Sequence, residues 1–274
     1  MTPEDNMITN RVLPQHIDFS KLMDLRVDFA FKLLFSKGDP RLLISLLNAI
    51  FANKNIRRII KSLTIKNPHM EKESGEDKLS VIDIRAEIDD GSTILIEMHM
   101  YGLGELKAKT IRSWARAYAE NLETGKNYAE QPPTITIAFT NGSVKPLERG
   151  VRQADERIHR FCMIMDCENH DIFTDAMELH YIDMKAFAKA VNSANTIDIN
   201  ENACKNEEEI FMAVSNLAQH SEDKYTRQAY QRRQDEIYFY NKEIAGYKQQ
   251  IEEAQVEIKT LRKEIESLRA NQQK

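Results

Sequence analysis

Apolar residues recur along this chain with two different periods, and the change of period divides it into elements. Leu22 to Phe35 has helical spacing, with Phe29 and Leu33 on one face and Phe31 and Leu34 broadening it, and Gly38-Asp39-Pro40 ends it. Arg41 to Phe51 predicts a second helix, apolar at Leu42, Leu43, Leu46, Leu47 and Ile50, with Pro40 suited to its first turn. A short strand over Leu63–Ile65 leads into a polar connection through Pro68, Glu71 and Gly75. Period two then takes over. From Ser80 to Met100 the even positions Ile82, Ile84, Ala86, Ile88, Ile94, Ile96 and Met98 are all apolar, and the odd positions include Asp83, Arg85, Glu87, Thr93, Glu97 and His99. This is a β-hairpin with one core face. A loop of Asp89-Asp90-Gly91, with Gly91 supplying a positive φ, sets Asp83 opposite Glu97. Two carboxylates facing each other repel, so the arrangement asks for a cation.

Glu105 to Leu122 reads as a helix ended by Gly125. Pro132-Pro133 forbids more helix, and Thr134–Thr140 is a β-branched strand closed by Asn141-Gly142. Strands near Arg160–Asp166 and Met177–Asp183 extend the sheet, and Lys185–Val191 is helical. From Glu207 the texture is purely helical. Beyond Tyr225, Ile237, Ile244, Ile251, Ile258 and Ile265 fall at every seventh residue, with Tyr240, Tyr247, Ala254, Leu261 and Leu268 three places after each. Isoleucine at a with leucine at d predicts a parallel two-stranded coiled coil. In register, Glu243–Lys248, Glu257–Arg262 and Glu264–Arg269 pair across it and no like charges meet. The tyrosines and Ala254 at d leave a trimer open. The expected layout is therefore a flexible 1–20, a globular 21–200, a helical connector 201–224 and a coil 225–274.

Composition narrows the rest. With 42% hydrophobic and 30% charged residues and a formal net charge of −5, any nucleic-acid contact must come from a local basic surface. The 3 cysteines form no paired spacing, which fits a reducing, cytoplasmic setting. No apolar run predicts a membrane span and no leader pattern opens the chain. Neither glycine-rich nucleotide motif occurs, so no nucleotide cofactor is expected.

The pieces Asp28–Phe35, Leu42–Asn48, Asp77–Ala86, Ile96-Glu97-Met98 and Leu122-x-x-Gly125-x-x-Tyr128, in this order, resemble the PD-(D/E)xK nuclease family transposases, also described as recombination-promoting nucleases. The resemblance spans about Lys21 to Phe139 and implies an α/β fold. Its core would be restriction-endonuclease-like, a mixed sheet flanked by helices, here followed by the C-terminal helical coiled coil. It also implies a Mg²⁺- or Mn²⁺-dependent DNA endonuclease, dimeric through its coil, in which Asp83 and Glu97 hold the metal. An acidic residue of the first helix often joins such a pair, and Asp28 is the candidate, a pairing with Lys32 being its plain alternative. Two places after the glutamate, where the superfamily usually has Lys and this family commonly Gln, stands His99. It is a fourth catalytic candidate, or the mark of a nuclease fold that holds DNA or a protein without cutting. In the following helix Lys109 and Ser113 occupy the places of a usual Arg and Tyr.

For DNA phosphates the candidates are Lys107, Lys109, Arg112 and Arg116, ahead of a small cluster of Arg57, Arg58 and Lys61. Trp114 reads as core. His159, His170 and His180 have no zinc rhythm.

Overall fold

The computed structural model describes residues 19–54, 56–66, 84–100, 103–122, 127–144, 157–193 and 208–272. Asp83, the polar connection through Glu71 and Gly75, Gly125 and most of the N-terminal stretch lie outside the described residues. The elements in order are α1 (Asp28–Ser36), α2 (Pro40–Ala52), β1 (Leu63–Lys66), β2 (Ile84–Ile88), β3 (Thr93–His99), α3 (Leu106–Glu120), β4 (Thr134–Thr140), β5 (His159–Met165), β6 (Ile172–Asp183), α4 (Met184–Ser193), α5 (Glu208–Glu222) and α6 (Lys224–Gln272). They fall into two units, Met1–Arg227 and Gln228–Lys274.

α1 begins later than its apolar spacing suggests. The Asp24 carboxylate accepts hydrogen bonds from the backbone N–H and the guanidinium of Arg26, making a turn that holds Val27 extended and delays the helix to Asp28. α2 starts as the sequence requires. Asp39 caps it by accepting from the Arg41 backbone N–H, and Pro40 fills the first turn.

Among the described residues the sheet of the first unit has six strands in the order β1-β2-β3-β4-β6-β5. β3 runs parallel to β4 and β4 parallel to β6, while the outer pairs are antiparallel. The β2–β3 turn closes as expected, with Gly91 at φ 85 and its N–H donating to the Ile88 carbonyl at 2.9 Å. Ile84 then faces Ile96 and Ala86 faces Ile94.

One sheet face carries Ile84, Ile94, Ile96, Ile135 and Ile137, covered by Phe31 of α1 and by Leu43, Leu47 and Phe51 of α2. Leu43, Leu47 and Phe51 are each 0% exposed, and each contributes about 1.5–3 kcal/mol by leaving water. The other face is covered by α3, with Leu106 on Ala138, Leu179 and Tyr181 and Ala117 on Leu95. A polar clamp fixes the far end of α3. Arg85 of β2 reaches Glu120 at 2.6 Å and Asn121 at 3.0 Å, and Asn121 also bonds the hydroxyls of Thr93 and Thr134.

β6 is longer than its apolar stretch predicts, starting at Ile172 rather than Met177. Beyond the sheet it continues as a two-stranded ribbon with β5, and its register slips twice, between Met163 and Ile164 and between Ile164 and Met165. The extra residues bend the ribbon. The Trp114 indole N–H donates to the Ala176 carbonyl at 3.2 Å, so Trp114 is a packing residue, as its sequence setting suggests.

Under α2 lies a polar cluster that the sequence reading missed. Arg58 binds Glu178 through both terminal nitrogens at 2.9 Å and rests over the Phe51 ring. Its guanidinium therefore faces inward, which removes it from the basic surface cluster proposed with Arg57 and Lys61. His180 lies 3.6 Å from Glu178 through Nε2, and its Nδ1 is 2.9 Å from His159 Nε2. Phe161 stacks on the His180 ring. The signal was present as Glu178 and His180 alternating within an apolar strand.

Burial, then the neighbouring His180 and Lys54, push His159 down to about 4. Burial also lowers His180, against the pull of Glu178. For Glu178 burial raises the carboxyl, but His180 and Arg58 outweigh it and hold it below its ordinary range. Groups whose folded pKa is depressed lose their stabilising contribution as pH falls through it. We expect the urea midpoint of the protein to hold above the ordinary imidazole value of 6.5 and to fall progressively as pH drops toward about 4, with His159→Phe flattening that window.

Candidate active site

Glu97 lies near the C-terminal end of β3, in a strand covered on both faces, and its residue is 1% exposed. Alternation turns it toward α3, the face opposite the one packed on α1 and α2. Its Oε2 lies 2.6 Å from His99 Nε2. Its Oε1 is buried and has no hydrogen-bond partner among the described residues. A carboxylate oxygen left so is costly unless something charged meets it. His99, two residues on and therefore on the same face, has a side chain 21% exposed, so the ring reaches solvent while the carboxylate beneath does not.

The cross-strand row through Glu97 continues as Ala138 on β4, Tyr181 on β6 and Arg160 on β5. Ala138 contributes little volume, and Leu106 packs over it. Burial raises the Tyr181 phenol above its ordinary range, opposed by a hydrogen bond with Thr110 and aided by the Cys162 and Glu97 charges. Thr110 and Ser113 form the middle of the buried stripe of α3, and Thr110 returns its hydroxyl to the Leu106 carbonyl at 2.8 Å. The α3 side of the site is thus lined with small hydroxyls. Tyr181 did not stand out in the sequence, because only strand pairing joins Glu97 to Ala138, 41 positions on, and Ala138 to Tyr181, 43 further on, and Thr110 reaches the site only through the packing of α3.

The other candidates take distinct places. Asp28 opens α1, on the far face of the sheet, and its carboxylate accepts from the Phe29 N–H at 2.9 Å. Among the described residues no three of His, Cys, Asp and Glu come together as metal ligands, so Asp28 does not complete a cluster with Glu97 and His99. Asp83 precedes the described start of β2 by one residue. On α3, Lys109 and Arg112 are exposed. Lys107 lies on the β5–β6 flank, near enough to Cys162 to act on its thiol. Arg116 is tied to Glu120 at 3.0 Å, within the Arg85 clamp. No helix among the described residues is long and apolar enough to cross a membrane.

The second unit is helical. α6 runs unbroken for 49 residues, with Asp223 capping its start by accepting from the Thr226 N–H. Within it Ile251, Ile258 and Ile265 are 56, 50 and 48% exposed, and Ile237 and Ile244 are half-buried.

A family model described as "PD-(D/E)XK nuclease family transposase" matches residues 25–246. No curated protein and no solved structure matches the chain. Nucleases of this kind generally use divalent metal ions. The residues present fit such an ion in one respect, the buried Glu97 Oε1, which has no hydrogen-bond partner among the described residues.

Removing His99 strips Glu97 of its only described hydrogen-bond partner. We expect His99→Ala to cost about 1–3 kcal/mol in chemical denaturation. His99→Gln, which can still donate to Oε2, should recover most of that loss.

Proposed function

The chain belongs to the PD-(D/E)XK nuclease family transposases, and from that premise we propose that it is a divalent-metal-dependent DNA endonuclease acting as a dimer. The observation that carries the reading is the state of Glu97. One carboxylate oxygen is committed to His99, and the other is buried with no hydrogen-bond partner among the described residues. Asp83 is the second metal ligand in this reading, by its place in the sequence of the hairpin opposite Glu97 and by the family resemblance. When bound, Mg²⁺ or Mn²⁺ would supply Lewis-acid polarisation of the scissile phosphate and a lower pKa for a bound water.

The protein's own groups do the remaining work. Glu97 Oε2 fixes the His99 ring through Nε2, which leaves Nδ1 to take the proton of the attacking water. Lys109 and Arg112, exposed on α3, hold the DNA backbone by its phosphates without reading sequence. Lys107 contributes from the other flank, and Arg116 mainly through its clamp to Glu120.

The C-terminal helix pairs two such domains in parallel. The half-exposed isoleucines of α6, recurring at every seventh residue, form a seam whose burial a second copy supplies. Glu243, Glu257 and Glu264 then meet Lys248, Arg262 and Arg269. Two catalytic domains held together can cut both strands of a duplex, one phosphodiester each.

Supercoiled plasmid incubated with Mn²⁺ should be nicked, and both Asp83→Ala and Glu97→Ala should reduce cutting to background. Undiminished cutting by either variant removes the site. DNA binding that survives both substitutions with no cutting by the native chain favours a non-catalytic DNA-holding role. Separately, sedimentation equilibrium of the full chain should give twice 31.8 kDa. Ile251→Lys combined with Ile258→Lys should return it to the monomer mass.

A further inference from the structure

The bent β5–β6 ribbon ends in a turn that displays apolar side chains to water. Met165, Ile172 and Phe173 are 48, 60 and 75% exposed. Phe173 is the residue left over where the pairing shifts from Ile164 with Thr174 to Met165 with Ile172. The tip is held in shape. The Asp166 carboxylate accepts from the N–H groups of Glu168 and Asn169, the Asp166 N–H donates to the Asp171 carbonyl at 2.8 Å, and His170 takes a positive φ of 62. A rigid tip of this kind loses little entropy on docking. Its charge is one-sided, with Asp166, Glu168, Asp171 and Asp175 and no Lys or Arg between Phe161 and Met184. DNA is excluded as its occupant on that ground, since phosphates would meet only carboxylates.

The complement lies on the outer side of α3. Ala108, Ile111, Ala115 and Ala119 are exposed at spacings of three and four, forming one apolar stripe with Ile111 at 47%. Lys107 and Arg112 stand on its two rims. A helix that only touched phosphates would not need an isoleucine and three alanines facing water. The ribbon stands beside this same helix, joined to it by the Trp114 bond to Ala176, yet it leaves its own tip and the α3 stripe uncovered.

We propose that the occupant of each is a second copy of this chain, the acidic ribbon of one protomer lying on the basic apolar stripe of α3 in its partner. Because ribbon and stripe are neighbours, a two-fold axis beside α3 makes the contact reciprocal, and the small patch is used twice. A ribbon-to-ribbon contact would set acid against acid, so the pairing is ribbon to helix. One ribbon tip is too small to hold two free chains together, so the inference rests on the pairing of α6 helices proposed above, which supplies a high effective concentration. It does not depend on DNA cutting. In this arrangement the partner's ribbon covers Lys107 and Arg112 until DNA displaces it.

The test uses the full chain with Cys167→Ser, which removes the exposed thiol of the turn. Ile111→Cys and Phe173→Cys are introduced together, and mild oxidation is followed on a non-reducing gel. Ile111→Cys with Ile59→Cys serves as the control, Ile59 being 72% exposed outside both patches. The expected result is a covalent dimer formed several-fold faster by the first pair than by the control. Equal rates overturn the proposal, as does a cross-link formed within one chain. Absence of the dimer from a protein that sediments at twice the chain mass defeats this contact and leaves the helix pairing standing. Absence together with a monomer mass defeats both.

Discussion

The fold depends on β3 being covered on both faces. Its antiparallel contact with β2 and its parallel contact with β4 place it inside the sheet, with α2 beneath and α3 above. Every side chain of that strand must then either pack or find a partner. Leu95 and Ile96 pack. Glu97 can do neither fully, and the tension at that residue shapes the site: an imidazole engaged on one oxygen, hydroxyls along the opposing helix, and an alanine beside it on the next strand.

The clamp between Arg85, Glu120 and Asn121 matters for the same reason. It ties the end of α3 to three strands at once, and the other end of that helix brings Leu106 onto Ala138 and Tyr181. Helix and sheet are thereby held at a fixed register, with Thr110 and Ser113 buried between the two ends. On the reverse side, Arg58 and Glu178 do the equivalent for the segment after α2. Since such a pair offsets its own desolvation only when well bonded, its two-point geometry is what makes the burial tolerable.

Local pattern was legible wherever one element could be judged alone. The alternation of Ile84 to Met98, the turn at Gly91, the first turn of α2 at Pro40 and the bounds of β4 all follow from residues adjacent in sequence. What escaped was set by distant partners. Asp24 moved the start of α1 by making a local turn whose strength the apolar spacing conceals. The inward course of Arg58 depends on a glutamate 120 positions away. The extension of β6 to Ile172 is supported by its pairing with β5, since its own residues there alternate poorly. That Asp28 opens a helix packed on the sheet face opposite the one toward which Glu97 turns could not be read from a motif that names residues without their faces.

The two register slips in the β5–β6 ribbon carry a consequence of another kind. β5 forms one margin of the sheet, and a regular strand there would offer a row of unused backbone donors and acceptors to any extended chain. The bulges, whose extra residues lie on β6, bend that margin and twist it away from a flat row, and among the described residues β1 at the opposite margin covers only 4 residues. The sheet is therefore a poor template for open-ended strand addition. A protein that associates with itself is thereby steered toward side-chain contacts that close on a fixed number of copies and away from fibrous growth.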